Sequence, residues 1–283
     1  MPLSNRPGLP LGPSVAEVSI VVSKFLAALR SRPMTSRWVD THCHLQLSSQ
    51  PSGDLLERAG DVAWIVVPGI DIESTASAEQ LVEKHPDRLL FTAGLHPHDA
   101  SKWVEQREGL SPYFMRAAAI GEIGLDFYRN LSPREDQIQA FRDQIRVGLD
   151  LRKPLVVHVR DAFRDSFEII DEMGAGNQTV LHCWTGGPKW TKRFMELGVT
   201  FSFAGPIAFE TGDTVRRAAA VVPPGRAMVE TDTPYLSPPP FRHDDNEPAR
   251  VALVGAALAK VWGVDVDEVA RLTSETATAV FKS

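Results

Sequence analysis

Short apolar runs alternate with longer segments of helical periodicity from residue 38 onwards. Most of the short runs are apolar almost throughout, which is the pattern of parallel strands buried on both faces. We predict eight strands, at 38–45, 61–69, 89–97, 117–126, 154–159, 178–183, 199–205 and 226–232. Eight strands with helices between them predict an α/β fold of the (β/α)8 TIM-barrel type, with an open doubly wound sheet as the structural alternative.

The clearest helix signal is the segment SPREDQIQAFRDQIRVGLDLR, residues 132–152. Ser132 is a candidate N-cap, Pro133 suits the first helical position, and Glu135 would complete a capping box. Apolar residues then recur on one helical face. Further helices are predicted at 71–85, 160–173, about 246–262 and 265–281.

The first 33 residues differ from the rest of the chain, because they are rich in proline and serine. Their apolar stretch at 14–30 contains Glu17 and Lys24 and lacks a small-residue cleavage site, so a signal peptide is disfavoured. We predict an N-terminal extension at 1–33, helical or loosely ordered, and a barrel domain at 34–283. The sequence has no apolar stretch near 20 residues, so we expect no membrane span.

Composition narrows the possible partners. The net charge is −6, which argues against a long sequence-independent nucleic-acid groove but leaves binding at a strand end open. Cys43 and Cys183 each neighbour a histidine, so a disulfide is not expected and a reducing cytoplasm is the expected location. We expect both thiols to be buried and turned away from the histidines, and the protein to be a monomer.

Imidazole and carboxylate side chains recur where the predicted strands end. In a TIM barrel these ends converge on one mouth, where active sites form. Each residue alone has a structural alternative, such as a hydrogen-bonded histidine or a carboxylate that caps a turn. Together, four histidines and two carboxylates favour a site for divalent cations. The residues are His42 and His44, Glu122, His158, His182 and Asp232, with His96 as a further histidine at the end of the third strand.

These residues lie in motifs that resemble the TatD family of metal-dependent hydrolases, within the amidohydrolase-like barrels. The resemblance runs from about Val39 to Phe281. Its motifs, in family order, are DTHCHL, GLHPHDA, IGEIGLDFY, KPLVVHVRDA, LHCWTGG, FSFAGPI and VETDTPYL.

The resemblance implies a ligand set and an activity. His42, His44 and Asp232 would hold one divalent metal, His158 and His182 a second, and Glu122 would bridge both. The implied activity is phosphodiester hydrolysis by a water that two metals activate, in a deoxyribonuclease that degrades DNA from single strands or 3′ ends as a 3′–5′ exonuclease. The two ions could be Zn, Mg, Mn, Ni or Co.

The chain departs from the family pattern at three positions. Gln46 stands where the family usually has Asp or Asn, and Thr276 where it often has Asn. Asp245 replaces a usual Arg, which removes an expected anion contact or ion pair, although Arg242 and His243 lie close enough in sequence to substitute.

We assign catalytic roles to three residues. Asp232 is the candidate for orienting and deprotonating the attacking water, and Glu122 for setting the spacing of the two metals. His96 would polarise or position the phosphate, although a role in supporting a metal ligand is nearly as well favoured. His98 is expected at the rim.

Substrate contacts are expected from side chains just past the strand ends. Arg160 could bind a phosphate through two hydrogen bonds, with an ion pair to Asp161 or Asp126 as the structural alternative. Aromatic rings there could stack on a base, or simply pack against the protein. These rings are Tyr128, Trp184 and Tyr235.

Other function classes share parts of this pattern. A metal-dependent amidohydrolase or esterase acting on a small molecule often bridges its metals with a carboxylated lysine, but no lysine ends the candidate strands. Hydrolysis of an aminoacyl-tRNA ester would use the same water and metals. A non-catalytic metal-binding protein would be expected to lack a ligand or a general base, and neither is missing.

Overall fold

The computed structural model describes residues 38–282. The predicted extension at 1–33 lies outside the described residues. Eight parallel strands follow one another in sequence order around a single sheet. They are β1 (Trp38–Asp40), β2 (Val62–Pro68), β3 (Leu89–Ala93), β4 (Ala119–Asp126), β5 (Leu155–Arg160), β6 (Thr179–Leu181), β7 (Thr200–Phe203) and β8 (Ala227–Val229).

The last strand returns to the first through backbone contacts. The Thr41 amide donates to the Val229 carbonyl at 3.2 Å, and the His44 amide donates to the Thr233 carbonyl at 2.8 Å. Cys43 forms an isolated parallel bridge with the same Thr233. The sheet is therefore a nearly closed barrel, and the predicted TIM-barrel fold is confirmed.

Helices alternate with the strands, as a βα repeat requires. Within residues 38–282 we number them α1 (Ser52–Arg58), α2 (Ile72–Lys84), α3 (Trp103–Arg116), α4 (Arg134–Leu151), α5 (Phe163–Glu172), α6 (Pro188–Glu196), α7 (Asp213–Ala219), α8 (Val251–Trp262) and α9 (Val266–Phe281). None of these helices combines the length and the apolar character that a membrane crossing needs.

The predicted capping box before α4 is wrong. The helix begins at Arg134 with Pro133 at the N-cap position, where no side chain caps it. Ser132 is buried and bonded elsewhere: its hydroxyl donates to the His98 carbonyl at 2.8 Å and accepts from the Ser101 amide at 3.2 Å. The serine therefore ties the start of α4 to the loop after β3 instead of capping the helix.

Several strands end earlier than predicted, and this decides where the site residues lie. β1 ends two residues before His42, β3 ends three residues before His96, and β8 ends three residues before Asp232. Asp232 has a left-handed backbone, with φ of 58°, which a regular strand cannot contain. These residues therefore lie on loops just past the strands, whereas Glu122 lies inside β4.

The opposite end of the barrel is closed by apolar packing. Side chains of six strands meet the last turns of α9 in one buried cluster, and each fully buried aliphatic side chain contributes roughly 1.5–3 kcal/mol. The cluster contains Val39, Trp64, Val66, Ala119, Val156, Val180, Met228, Ala277 and Phe281. This rigid base leaves the loops at the other end to carry the site.

Candidate metal centre

Glu122 lies at the centre of the imidazole cluster, with 3% of its surface exposed. Its Oε1 atom is 2.9 Å from His182 Nε2, 3.1 Å from His158 Nδ1 and 3.3 Å from His96 Nε2. Burial alone would raise the pKa of Glu122, but the neighbouring histidines outweigh it and hold that pKa well below its usual range. Glu122 is therefore an anion that several imidazoles share.

The other oxygen of Glu122 faces the HxH pair. Its Oε2 atom lies 3.3 Å from His42 Nε2 and 3.5 Å from His44 Nε2. The two Nε2 atoms are 3.1 Å apart. Asp232 Oδ1 approaches the same two nitrogens, at 3.9 and 3.7 Å.

This donor set fits divalent cations. Three groups of ligand atoms each lie within 4.8 Å of one another: His42, His44 and Asp232; His42, Glu122 and His182; and His96, Glu122 and His158. Imidazole nitrogens and carboxylate oxygens at such spacing suit zinc and similar ions. The two Nε2 atoms of the HxH pair also point at each other, an arrangement that one shared cation satisfies.

The ring of His182 is fixed by a second carboxylate. Its Nδ1 atom is 3.2 Å from Glu230 Oε1, and a carboxylate can only accept, so Nδ1 carries the proton. The Nε2 edge of the ring is thereby left facing Glu122. Burial alone would lower the pKa of His182, but Glu122 and Glu230 outweigh it and hold that pKa well above its usual range.

His158 is fixed in the same way, but through the opposite nitrogen. Its Nε2 atom lies 3.3 Å from Asp126 Oδ2, which leaves Nδ1 facing Glu122. The same Asp126 oxygen is 2.9 Å from His98 Nε2. Burial opposes both charges, but the hydrogen bonds prevail: the pKa of His158 is raised and that of Asp126 is lowered.

His42 and His44 lack such support. Within residues 38–282, neither Nδ1 atom has a hydrogen-bond partner. Burial lowers the pKa of both histidines, that of His44 to about 3. The HxH pair is therefore neutral at physiological pH.

His96 differs from the four proposed ligands in the position of its proton. Its Nδ1 atom accepts a hydrogen bond from the His98 amide at 3.1 Å. Burial lowers the pKa of His96 to about 4, so the ring is neutral and its one proton lies on Nε2. That N–H points towards Glu122, where it can donate a hydrogen bond but offers no lone pair to a metal.

Asp232 has an unusual charge state. Burial raises the pKa of Asp232 to about 8, despite the opposing charge of His182. Its amide donates to the His42 carbonyl at 2.8 Å, which anchors the residue beside the HxH pair. In the metal-free protein burial therefore favours the protonated form of this carboxyl group.

A glycine in β4 allows Glu122 to approach its histidine neighbours. Gly124 in β4 has φ of 133°, and a Cβ atom there would lie 2.0 Å from the His158 carbonyl oxygen. Any side chain would therefore push β4 away from β5. The close pairing of these strands keeps Glu122 within 3.1 Å of His158.

A cavity of about 780 Å³ opens from the cluster to the surface. Arg160 and Tyr128 line it, and the Arg160 guanidinium lies 3.9 Å from the centre of the Tyr128 ring. The alternative ion pair with Asp126 is not formed, since within residues 38–282 its Oδ2 atom lies against His98 and His158 instead. Tyr235 also lines the cavity and is 55% exposed.

Two expectations about the loop after β6 are wrong. Trp184 does not reach the cavity: it is 2% exposed, and its indole N–H donates to Thr191 Oγ1 at 2.8 Å within an aromatic cluster. Cys183 does line the cavity, because its left-handed backbone, with φ of 43°, turns the thiol towards the mouth. Cys43 is fully buried, as expected.

The departures from the family pattern have local partners. Gln46 Nε2 donates to the Pro68 carbonyl at 2.7 Å. Asp245 Oδ2 accepts from Ser49 Oγ at 2.9 Å, which links the loops after β8 and β1. Arg242 lies over the Phe209 ring at 3.5 Å and does not line the cavity, so it does not replace the missing anion contact.

Two further buried polar residues hold parts of the site in place, and neither was predicted from the sequence. One is Glu230, described above. The other is Asn246, whose Nδ2 atom donates to the carbonyls of Thr231 and Tyr235, both at 2.8 Å, and so holds the loop that carries Asp232. A charge directly after the apolar run AMV was the available signal for Glu230.

Comparison with known proteins agrees with this geometry. A family model described as "TatD related DNase" matches residues 39–282. The chain is 33% identical over 253 residues to an uncharacterized metal-dependent hydrolase, YabD, of Bacillus subtilis (strain 168), covering 86% of this chain and 98% of the relative.

A second relative has a named activity. The "3'-5' ssDNA/RNA exonuclease TatD" of Pectobacterium parmentieri (strain WPP163) is 32% identical over 235 residues, covering 80% of this chain and 90% of the relative. Among solved structures, YjjV, a TatD homologue from Escherichia coli K12, matches with a TM-score of 0.82 and 26% identity, covering 88% of this chain and 99% of that one.

Proposed function

Because the chain belongs to the TatD-related DNase family of metal-dependent hydrolases, we propose that it hydrolyses phosphodiester bonds of DNA at single-stranded 3′ ends, as a 3′–5′ exonuclease. We propose that it uses two divalent ions and works as a cytoplasmic monomer. The observation that carries the proposal is Glu122, with one oxygen facing His158 and His182 and the other facing the HxH pair. A shared carboxylate of this kind sets the spacing of a two-metal site.

The ligand sets follow from the imidazole edges that face Glu122 and Asp232. His42, His44 and Asp232 would hold the first ion, His158 and His182 the second, and Glu122 would bridge them. When bound, the ions lower the pKa of a water molecule and offset the charge on the phosphate. The open cavity on one side of the cluster admits the substrate.

The remaining steps fall to the side chains. Asp232 is placed to orient the attacking water and to accept its proton, since its oxygen lies beside the HxH pair. His96 Nε2–H is placed to donate a hydrogen bond to a phosphate oxygen as negative charge develops there. Both residues line the cavity.

Substrate binding would use the cavity wall beyond β4 and β5. Arg160 is exposed, and no carboxylate within the described chain neutralises it, so its guanidinium is free to bind a phosphate. Tyr128 is 61% exposed and offers a face on which an unpaired base can stack. These contacts suit a single strand better than a duplex, whose bases are already stacked.

The test is degradation of a 5′-labelled single-stranded DNA by metal-stripped protein with Mg²⁺, Mn²⁺, Zn²⁺ or Co²⁺ added back singly. The expected result is a ladder that shortens stepwise from the 3′ end and is lost with a terminal 3′ phosphorothioate linkage. Asp232→Asn is the control for contaminating nuclease. An RNA of the same sequence and a blunt duplex establish the substrate preference.

Two outcomes would contradict the proposal. A single internal cut would exclude exonuclease action, and no cleavage of DNA in any metal would exclude the nuclease activity. Cleavage that persists in Asp232→Asn would show that the nuclease is a contaminant or that Asp232 has no role in the reaction.

A further inference from the structure

Glu230 directly follows β8 and is fully buried, on the side of the His182 ring that faces away from Glu122. Its Oε1 atom lies 3.2 Å from His182 Nδ1 and accepts from the Cys183 amide at 2.7 Å. The two donors belong to consecutive residues of one loop. A single carboxylate oxygen therefore fixes both the ring and the backbone that carries it.

Glu230 does not belong to any of the ligand groups found within residues 38–282. Its carboxylate meets the Nδ1 edge of His182, whereas the Nε2 edge faces the centre. A buried carboxylate is costly unless it is paired, and imidazole is its partner here. Its position indicates a role in holding a ligand, not in binding a metal.

The ring that Glu230 holds is stacked on a ligand of the other ion. The His42 and His182 rings lie face to face, with centroids 3.8 Å apart and planes inclined by 13°. His42 has no hydrogen-bond partner at Nδ1 within the described chain. With that edge unsupported, the stacked His182 face is the contact that restrains the tilt of the His42 ring, while Glu122 and His44 meet its Nε2 atom.

We propose that Glu230 is a positioning residue for both metal positions. It orients His182 through a hydrogen bond, and it orients His42 through the stacked His182 ring. Supporting partners of metal-bound histidines fix the tautomer and ring plane, and their loss weakens metal binding about 10–100-fold. The additional consequence here is that one carboxylate affects two ions.

Asp126 provides a matched control. It supports His158 as Glu230 supports His182, through a single carboxylate oxygen. The His158 ring is not stacked on either histidine of the HxH pair; it meets His182 at 5.6 Å and an inclination of 36°. Loss of Asp126 should therefore affect one metal position only.

The experiment titrates Co²⁺ into the metal-stripped full-length protein, followed by calorimetry and by the visible absorption of bound Co²⁺. Glu230→Leu should weaken both binding steps about 10–100-fold, whereas Asp126→Leu weakens one. Glu230→Gln keeps an accepting oxygen and should restore both affinities to within about threefold of the wild-type values. These readouts do not depend on whether the protein cleaves nucleic acids.

Several results would overturn the proposal. Two unchanged affinities in Glu230→Leu would remove any role in metal binding, and one weakened affinity would remove the coupling through the stack. Equal losses in Glu230→Gln and Glu230→Leu would show that the charge matters and not the orientation.

A measurement on the unmodified protein covers the case in which Glu230→Leu does not fold. With ¹¹³Cd²⁺ bound and the histidines ¹⁵N-labelled, the His182 ring should show its proton on Nδ1 and cadmium coupling at Nε2. Coupling at Nδ1 would contradict the hydrogen bond on which the proposal rests.

Discussion

The two halves of the metal centre use the same kind of ligand in different surroundings. On the β1 side, His42 and His44 are buried without a hydrogen-bond partner at Nδ1 among the described residues. On the β5–β6 side, His158 and His182 are each hydrogen-bonded to a buried carboxylate, Asp126 and Glu230 respectively. Identical side chains therefore acquire different protonation states from their neighbours.

The surroundings set different charges on the two pairs of histidines in the metal-free protein. Burial lowers the pKa of His42 and His44, so this pair is neutral and its lone pairs are available. The carboxylates overcome burial at His158 and His182 and raise their pKa. An ion that enters the second half must therefore displace protons, which makes its binding weaker as the pH falls. The same side chain therefore presents a different charge to an incoming cation in each half.

The largest expected effect comes from the residue that the two halves share. Glu122→Ala should remove both bound ions and lower kcat/KM on single-stranded DNA by about 10³-fold or more, because each half loses its bridging oxygen. Metal content after dialysis and initial rates measure this, with circular dichroism as the check of folding. Glu57→Ala, an exposed position on α1, is the control. A variant that keeps one ion at full occupancy would argue against the bridging assignment.

The next prediction distinguishes a metal ligand from a residue that donates a hydrogen bond to the phosphate. His96→Gln should leave both ions bound and lower kcat about 10²-fold, because it removes a donor to the developing charge. His182→Gln, by contrast, should lose an ion. The same dialysis and rate measurements distinguish the two variants. Loss of bound metal in His96→Gln would place His96 among the ligands and would contradict the proton position inferred from the His98 amide.

A smaller effect is expected at the mouth of the second half, where Arg160 follows His158 by two residues. Arg160→Met keeps most of the packing against Tyr128 but removes the charge. We expect KM for single-stranded DNA to rise roughly tenfold with kcat little changed, since one phosphate contact is lost. Arg164→Met is the control, because Arg164 is exposed and already paired with Glu168. An equal rise in both variants would indicate a general charge effect.

The barrel and the convergence of the candidate ligands at its mouth could be predicted from the sequence, because apolar runs and the βα spacing are local signals. The supporting residues could not be found in this way. Glu230 meets His182 across 48 positions, and the stacking of His42 on His182 spans a longer separation still. Cys183 was placed wrongly for a related reason: the alternation rule for strands fails where the backbone turns left-handed, as it does at Cys183.

The smallest expected effect concerns Asp40, whose carboxyl group lies next to the backbone of the HxH pair. Asp40 is fully buried, but unlike Asp126 and Glu230 its partners are backbone amides and a hydroxyl. Its Oδ1 accepts from the Thr231 amide at 2.9 Å and the His42 amide at 3.3 Å, and its Oδ2 accepts from the Thr231 hydroxyl at 2.6 Å. Burial raises the pKa of Asp40 from 3.8 to about 8 despite these bonds. The carboxyl group beneath the HxH pair is therefore mostly neutral at pH 7.

Asp40→Asn tests this difference through the pH dependence of stability. The folded metal-free protein keeps a proton that the unfolded chain loses near pH 3.8, so the stabilising contribution of that proton is lost as the pH rises towards 8. This proton makes the free energy of unfolding fall by up to about 1.4 kcal/mol per pH unit. Asp40→Asn should remove that slope and should leave the free energy of unfolding near pH 5 within about 1 kcal/mol of the wild-type value. Denaturant unfolding of the wild type and of Asp40→Asn, with a chelator present and between pH 5 and 8, measures the two free energies of unfolding. Groups that titrate in the same way in both proteins cancel in the difference between them. If the free energies of unfolding of the two proteins ran parallel with pH, Asp40 would be ionised in the folded protein. Both halves of the centre would then have charged carboxylates beside their histidines.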